Sequence, residues 1–172
     1  MNNKQKQAHF LALYEPIHDK FERFCRAKAY GNVEYQDLIN DTLLVAFEKL
    51  DTLKSEMAFL SFLFGISVRI LSNKNKKIKE FSLAEATEYN LEDFNANTEQ
   101  STEVYFLYQA LDRLTENQQE AIILFEISGF SIREIVEIQG ASESAIKQRL
   151  KRGREKLFDM LNYKINKEKG GQ

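Results

Sequence analysis

The residues best equipped for chemistry in this chain lie between Ser144 and Lys156. At about 100° per residue, Ser144, Lys147, Gln148 and Lys151 fall on one side of a helix with Arg152 beside them. Ile146, Leu150, Gly153 and Leu157 fall on the opposite side and form an apolar seam, while Arg149, Arg154 and Lys156 fill the flanks. A helix buried along one stripe and bearing ammonium, guanidinium, amide and hydroxyl groups along the other suits the major groove of DNA. Lys and Arg meet phosphates or guanine edges there, and Gln can pair with adenine. A charge run on a helix is more commonly a solvated face, so the case depends on the elements that would position it.

Those elements are present. Ser131 followed by Glu134 is the signature of a capping box, and Ile132, Ile135, Val136 and Ile138 give the apolar side of a short helix. Gly140 supplies a left-handed turn at no steric cost, and Ser142 or Ser144 can cap the basic helix. The stretch Ser131 to Leu157 therefore reads as a helix-turn-helix. Upstream, Val104, Leu107, Ala110, Leu111 and Leu114 predict one helix. Thr115 with Gln118 predicts a second capping box, opening a helix that carries Ala121, Ile122, Leu124, Phe125 and Ile127. The tail after Asn162 is expected to fray.

Bulk composition narrows the function classes. The chain has 172 residues, 43% hydrophobic with 13 phenylalanines, one proline and seven glycines, which predicts an all-α protein of one or two small domains. A net charge of −2 excludes a protein that coats nucleic acid indiscriminately, so the basic residues must be segregated. The single cysteine, Cys25, sits among Phe21 and Phe24 as a small core residue, and His9 and His18 have no second ligand at metal spacing. No metal site or cofactor is expected. No nucleophile–base pair or phosphate-binding glycine loop occurs, and Glu116 and Glu120, four apart at a helix start, are ordinary helix chemistry, so an enzyme is not expected. The N-terminus lacks a signal-peptide core and no stretch reads as the roughly 18 apolar residues of a membrane span, which predicts a cytoplasmic protein with no membrane partner.

The first half reads as a separate helical unit. Phe10, Leu13, Tyr14, Ile17, Phe21 and Phe24 predict helix from about Ala8 to Lys28, interrupted at Pro16, with a turn at Tyr30-Gly31-Asn32. A helix from about Glu34 to Leu50 would have two faces. Ile39, Leu43, Ala46, Phe47 and Leu50 form the expected core stripe; Asp37, Asn40, Asp41, Leu44 and Glu48 form an acidic stripe around one leucine. On pattern alone the second stripe is a solvated face. Asp51 to Met57 reads as a loop, and Ala58 to Leu71, apolar nearly all round, as a central buried helix that ends in Lys74, Lys76, Lys77 and Lys79. Those lysines either complement the helix dipole or contact a nucleic-acid backbone. From Glu80 to Glu103 the chain holds seven acidic residues and no Lys or Arg, and it reads as a flexible acidic linker. The expected domains are thus 8–79 and 104–161, joined by 80–103.

Two small helical domains, an acidic linker and a terminal helix-turn-helix resemble a bacterial sigma factor of the extracytoplasmic-function (ECF) group of the sigma-70 family. The resemblance spans about Phe10 to Lys79 and Val104 to Leu161. Ala110 to Leu157 follows the family's −35-binding domain, with Thr115 where proline is common. It implies that the groove-facing Ser144, Lys147, Gln148, Arg149, Lys151 and Arg152 contact the −35 element. DLINDTLLVAFEKLD, from Asp37, resembles the helix that docks on the clamp helices of the RNA polymerase β′ subunit. This resemblance reverses the reading of the acidic stripe: Asp37, Asn40, Asp41, Leu44 and Glu48 become the polymerase contact. AFLSFLFGISVRILSN, from Ala58, resembles the segment that melts and reads the −10 element, implying roles for Lys54, Ser55, Phe62, Arg69, Asn73, Lys74, Lys76 and Lys77. The loop Asp51 to Met57 would hold a flipped base, and Phe59, Phe62 and Phe64 are stacking candidates.

The implied partners are core RNA polymerase through its β′ clamp helices and β flap, promoter DNA, and either an anti-sigma factor or another DNA-bound protein. The sequence departs from the family in the first domain. Leu60, Gly65 and Val68 stand where basic residues are usual, Phe62 where tryptophan is usual, and Arg69 where asparagine is usual. Fewer cations mean fewer phosphate contacts and a weaker salt dependence, so weak −10 recognition is expected. The second reading is a helix-turn-helix regulator acting without stable polymerase binding. Such a protein would bind duplex DNA alone, usually as a dimer.

Overall fold

In the computed structural model, residues 2–85 and 102–169 are described. They fall into two compact helical units, Met1–Asn97 and Thr98–Gln172, and no strand occurs among the described residues. The expected linker of 80–103 lies mostly outside the described residues, but its first residues are helical and so is its end from Thr102.

The first unit contains α1 (Asn3–Tyr14), α2 (His18–Lys28), α3 (Tyr35–Glu48) and α4 (Phe59–Glu85). α1 begins five residues before the expected start. Asn2 caps it by accepting from the Gln5 amide at 2.8 Å, while Gln5 Oε1 accepts from the Asn2 amide at 3.0 Å. Pro16 sits in a single 3₁₀ turn, Glu15–Ile17, between α1 and α2. Its ring has no N–H to donate, and the tighter turn absorbs that loss.

The core of this unit is aromatic. The Phe64 ring meets Phe24 at 4.6 Å and Phe21 at 5.2 Å, and Phe10 packs edge-on against Phe47 and Phe59 at 5.7 and 5.8 Å. Cys25 is buried here, as its apolar neighbours predict. Burial pushes its thiol pKa well above the usual range and raises that of the Tyr14 hydroxyl to about 12.

Two expectations about the helices need correction. The innermost residues of α3 are Leu38, Thr42 and Ala46, with Leu50 just beyond it, whereas Ile39, Leu43 and Phe47 are half-buried. Thr42 is tolerated at the centre because its hydroxyl donates to the Leu38 carbonyl at 2.6 Å. α4 is not buried all round. Phe59, Leu63, Phe64, Ser67 and Leu71 face the core; Phe62, Ile66 and Val68 are half-buried; Gly65 and Arg69 are exposed. Residues Glu56–Phe81 are, by length and composition, long and apolar enough to cross a membrane, contrary to the sequence expectation. In this fold the stretch is the core helix of its unit.

The second unit contains α5 (Thr102–Leu111), α6 (Glu116–Ile122), α7 (Ile132–Gln139) and α8 (Glu143–Lys169). α6 runs on as one π-helical turn, Ile123–Ile127, closed by the Ser128 hydroxyl donating to the Ile123 carbonyl at 2.8 Å. The capping box expected at Thr115 is absent: the Thr115 side chain caps nothing, and Gln118 Oε1 instead accepts from Lys156 Nζ at 3.4 Å. α8 continues well past Asn162, where fraying was expected.

Candidate promoter-DNA and polymerase interfaces

The geometry of the helix-turn-helix follows from its caps. Ser131 Oγ accepts from the Glu134 amide at 3.2 Å while Glu134 Oε2 accepts from the Ser131 amide at 2.7 Å, so both partners of the expected capping box are in place. Gly140 ends α7 with φ 59°, and Ser142, of the two candidates, caps α8 by accepting from the Ala145 amide at 3.2 Å. Ile135, Ile146 and Leu150 are buried between the helices. Gly153 lets α8 lie against α6, since a Cβ there would come within 2.9 Å of Ile122 Cγ1.

With the seam fixed, Ser144, Lys147, Gln148, Lys151 and Arg152 all face solvent on one side of α8. Lys147 Nζ lies 2.5 Å from Glu143 Oε1 one turn earlier, and this hydrogen bond holds the Glu143 carboxyl below the usual carboxylate range. The sequence reading missed Glu143, although its i,i+4 spacing to Lys147 is visible. Arg149 differs from the rest of its group. It is half-buried and donates to Gln139 Oε1 at 2.8 Å, while Gln139 donates to the Asn117 carbonyl at 3.3 Å, so Arg149 ties α8 to α7 and α6. Arg154 is likewise engaged, 2.5 Å from Glu126. Among the described residues, the cations of the exposed face without an ion pair are Lys151 and Arg152.

The first unit presents two surfaces. On α3, Leu44 is 59% exposed, with Asp37, Asn40 and Glu48 exposed around it. Asp41 is half-buried and pairs with Lys74 of α4 at 2.7 Å, so two residues assigned by sequence to different partners neutralise each other. On α4, Phe62, Arg69, Asn73, Lys76 and Lys77 lie on the side turned from the core, and Lys74 lies on the side turned toward α3. Phe59 and Phe64 belong to the core, being 3% and 1% exposed, so Phe62 is the stacking candidate that remains.

The loop before α4 is built from 3₁₀ turns at Leu50–Thr52 and Glu56–Ala58. It is tied to α1 near its start and approaches α1 again near its end. Lys6 Nζ pairs with Asp51, lowering that carboxyl's pKa through the hydrogen bond, and donates to the Glu48 carbonyl at 3.2 Å; His9 Nδ1 lies 3.7 Å from Glu56. Ser55 spends its hydroxyl oxygen on capping, accepting from the Met57 amide at 3.3 Å. Lys54 is exposed, and so is Met57 at 78%, an apolar side chain in open solvent that the sequence reading passed over.

Comparison with known proteins finds a matching family model, similar sequences and similar folds. The family model for sigma-70, region 4, matches residues 107–157, which run from α5 through the exposed face of α8. The chain is 30% identical over 134 residues to the ECF RNA polymerase sigma factor EcfG of Rhodopseudomonas palustris, covering 76% of this chain and 74% of that one. It is 25% identical over 155 residues to the ECF RNA polymerase sigma factor SigM of Mycobacterium tuberculosis, covering 90% and 78%. The fold is similar to that of the sigma factor RpoE of Bartonella quintana, solved in complex with the anti-sigma factor NepR, at TM-score 0.59 and 22% identity over 92% of this chain and 98% of that one. It is also similar to CnrH, solved with the cytosolic domain of CnrY, at TM-score 0.62 and 21% identity over 91% and 90%. With a relative at this identity aligned along most of both chains, the protein belongs to the ECF group of RNA polymerase sigma factors, which act in transcription initiation.

Proposed function

We propose that this sigma factor docks on core RNA polymerase through the Leu44 stripe, reads the −35 element through α8, and engages the −10 region through α4 and the loop before it. The observation that carries the docking assignment is the 59% exposure of Leu44 inside a ring of exposed Asp37, Asn40 and Glu48. An apolar residue with a polar rim is the anatomy of a protein contact, and the carboxylates suit a basic partner surface such as the β′ clamp helices. The β flap is the second polymerase contact that the family resemblance implies.

The −35 assignment is supported by the exposed Ser144, Lys147, Gln148, Lys151 and Arg152 on a helix whose opposite side is buried. Arg149 belongs to the frame of that helix through its bond to Gln139. On α4 the outward residues from Leu60 to Val68 include no cation, and Lys74 is paired with Asp41. Phosphate contacts along the Leu60–Val68 stretch are therefore few, leaving Arg69, Lys76 and Lys77 to supply them, and we assign this protein weak −10 recognition, offset by the −35 contact and by a second DNA-bound protein that recruits it. Lys54, Ser55 and the exposed Met57 flank the position of a flipped base. The complex of RpoE with the anti-sigma factor NepR supports an anti-sigma protein as a further partner.

Size exclusion with core RNA polymerase tests the docking assignment. Wild-type protein is expected to co-migrate with core, and a variant with Asp37, Asn40, Asp41 and Leu44 replaced by alanine is expected to migrate alone. Co-migration retained by the variant would move the docking surface elsewhere. No co-migration of the wild type, together with tight duplex binding by the free protein, would favour a regulator that works without stable polymerase binding.

A further inference from the structure

Among the described residues, every glycine but one has a reason inside the fold. Gly31, Gly129 and Gly140 hold φ of 71°, 80° and 59°, a backbone region that side chains enter at a cost. Gly153 lies where a Cβ would meet Ile122 Cγ1 at 2.9 Å. Gly65 has neither property. It sits in the second turn of α4 without a positive φ, it is exposed, and a Cβ built there would meet nothing within 4 Å. Glycine weakens a helix interior relative to alanine, so this position costs the free protein stability for no internal gain.

The surroundings indicate what the missing side chain makes room for. On the same outward side, Phe62 lies one turn before Gly65 and Arg69 one turn after, with Ile66 adjacent; Phe62 and Ile66 are half-buried and Arg69 is exposed. From Met57 to Lys79 the chain holds no acidic residue, and Lys76, Lys77 and Lys79 continue the exposed cationic end of the helix. An acid-free face with an aromatic ring at one end and a guanidinium at the other complements a polyanion that carries flat bases.

We propose that Gly65 is a positioning residue for the opened promoter strand: its bare backbone lets the strand reach van der Waals contact with α4 between Phe62 and Arg69. The inference rests on the reading of α4 as the −10 surface and deepens it. Contact at this point is short-range and steric, in place of the long-range attraction a basic side chain would supply. A strand held this way tolerates no added atoms at Gly65, whatever their charge.

The test uses full-length protein assembled with core RNA polymerase on a promoter the holoenzyme transcribes. Strand opening is read by permanganate reactivity of thymines, after co-elution of each variant with core has been verified. Gly65→Ala is expected to raise the melting temperature of the free protein by about 4 °C while lowering opening by about tenfold. Gly65→Lys is expected to lower opening at least as far. Arg69→Ala is expected to lower opening without raising the melting temperature. Opening unchanged in Gly65→Ala, or raised in Gly65→Lys, would overturn the proposal, the latter showing that the site merely lacks a cation. If Arg69→Ala impairs opening and Gly65→Ala does not, the proposal for Gly65 fails alone. If neither variant changes opening, the −10 reading of α4 fails with it.

Discussion

α4 and α8, the two longest helices among the described residues, have the same length, 27 residues, and each contains one glycine. Each buries one stripe against its own unit and leaves the other toward solvent. There the likeness ends. α8 shows solvent Ser144, Lys147, Gln148, Lys151 and Arg152, side chains that donate and accept hydrogen bonds, and its glycine is buried at a helix crossing. From Phe62 to Val68 α4 shows a ring, aliphatic carbons and bare backbone, and its exposed cations, Arg69 and then Lys76, Lys77 and Lys79, come only after that stretch. Base edges in an intact duplex are read by directional hydrogen bonds, whereas a separated strand offers flat faces for stacking and close packing. The two helices differ as the two targets proposed for them differ.

The largest expected effect breaks the α8 side of the comparison. Replacing Gln148 and Arg152 together with alanine removes two of the groups proposed to read bases while leaving the buried seam intact. Binding to the −35 element should fall by about 100-fold, since each good base contact contributes about 1–3 kcal/mol of discrimination. Holoenzyme binding measured on promoters with native and scrambled −35 sequences checks this, and the variant should no longer distinguish them.

Next in size is the substitution that separates the two glycines. Gly153→Leu must displace Ile122, with Cγ1 only 2.9 Å from the new Cβ. It should destabilise the second unit by about 1–3 kcal/mol. A thermal melt followed by circular dichroism would show this loss against the gain expected at Gly65.

Alkali should act on the first unit before the second. The Tyr14 hydroxyl titrates at about 12 in the folded chain, against an ordinary 10.0, because burial disfavours the phenolate. A raised folded pKa gives stability that is complete below pH 10 and is lost as pH rises toward 12. Its loss amounts to about 2 kcal/mol. Burial of Cys25 in the same core acts in the same direction. Chemical denaturation at pH 8 and pH 11 should show a larger loss for wild type than for Tyr14→Phe. The smallest effect is at the turn motif itself. Ser131→Ala removes the acceptor for the Glu134 amide and should cost about 1 kcal/mol, seen as a modest fall in the melting temperature of the second unit.

The helix-turn-helix was legible in the sequence because its signals are local. A serine three residues before a glutamate, a glycine at a helix end and apolar residues at three- and four-residue spacing each fix geometry within a few positions. The solvent-facing residues of α8 followed from the same periodicity. Arg149 was read as a contact residue since its partner, Gln139, lies on another helix. The pairing of Asp41 with Lys74 was hidden for the same reason, because α3 and α4 are joined by a loop whose geometry periodicity does not give. In α3 the expected core stripe holds at Ala46 and Leu50, but Leu38 and Thr42 take the buried places expected for Ile39 and Leu43. Thr42 looks polar in a sequence, but an internal hydrogen bond to Leu38 makes it fit for burial. At Thr115 the residues of a capping box are present, yet Lys156 of α8 holds the Gln118 side chain instead. The exposed side of α4 was obscured because half-buried Phe62, Ile66 and Val68 read as core in a pattern of types alone.

The central claim is that promoter selection leans on α8 more than on α4. The most direct measurement is initiation by the assembled holoenzyme on one promoter carrying single-base substitutions through the −35 and the −10 elements, repeated across a salt titration. The account predicts large losses across the −35 positions, and smaller losses with a shallow salt dependence across the −10 positions. Losses at −10 equal to or greater than those at −35 would contradict it.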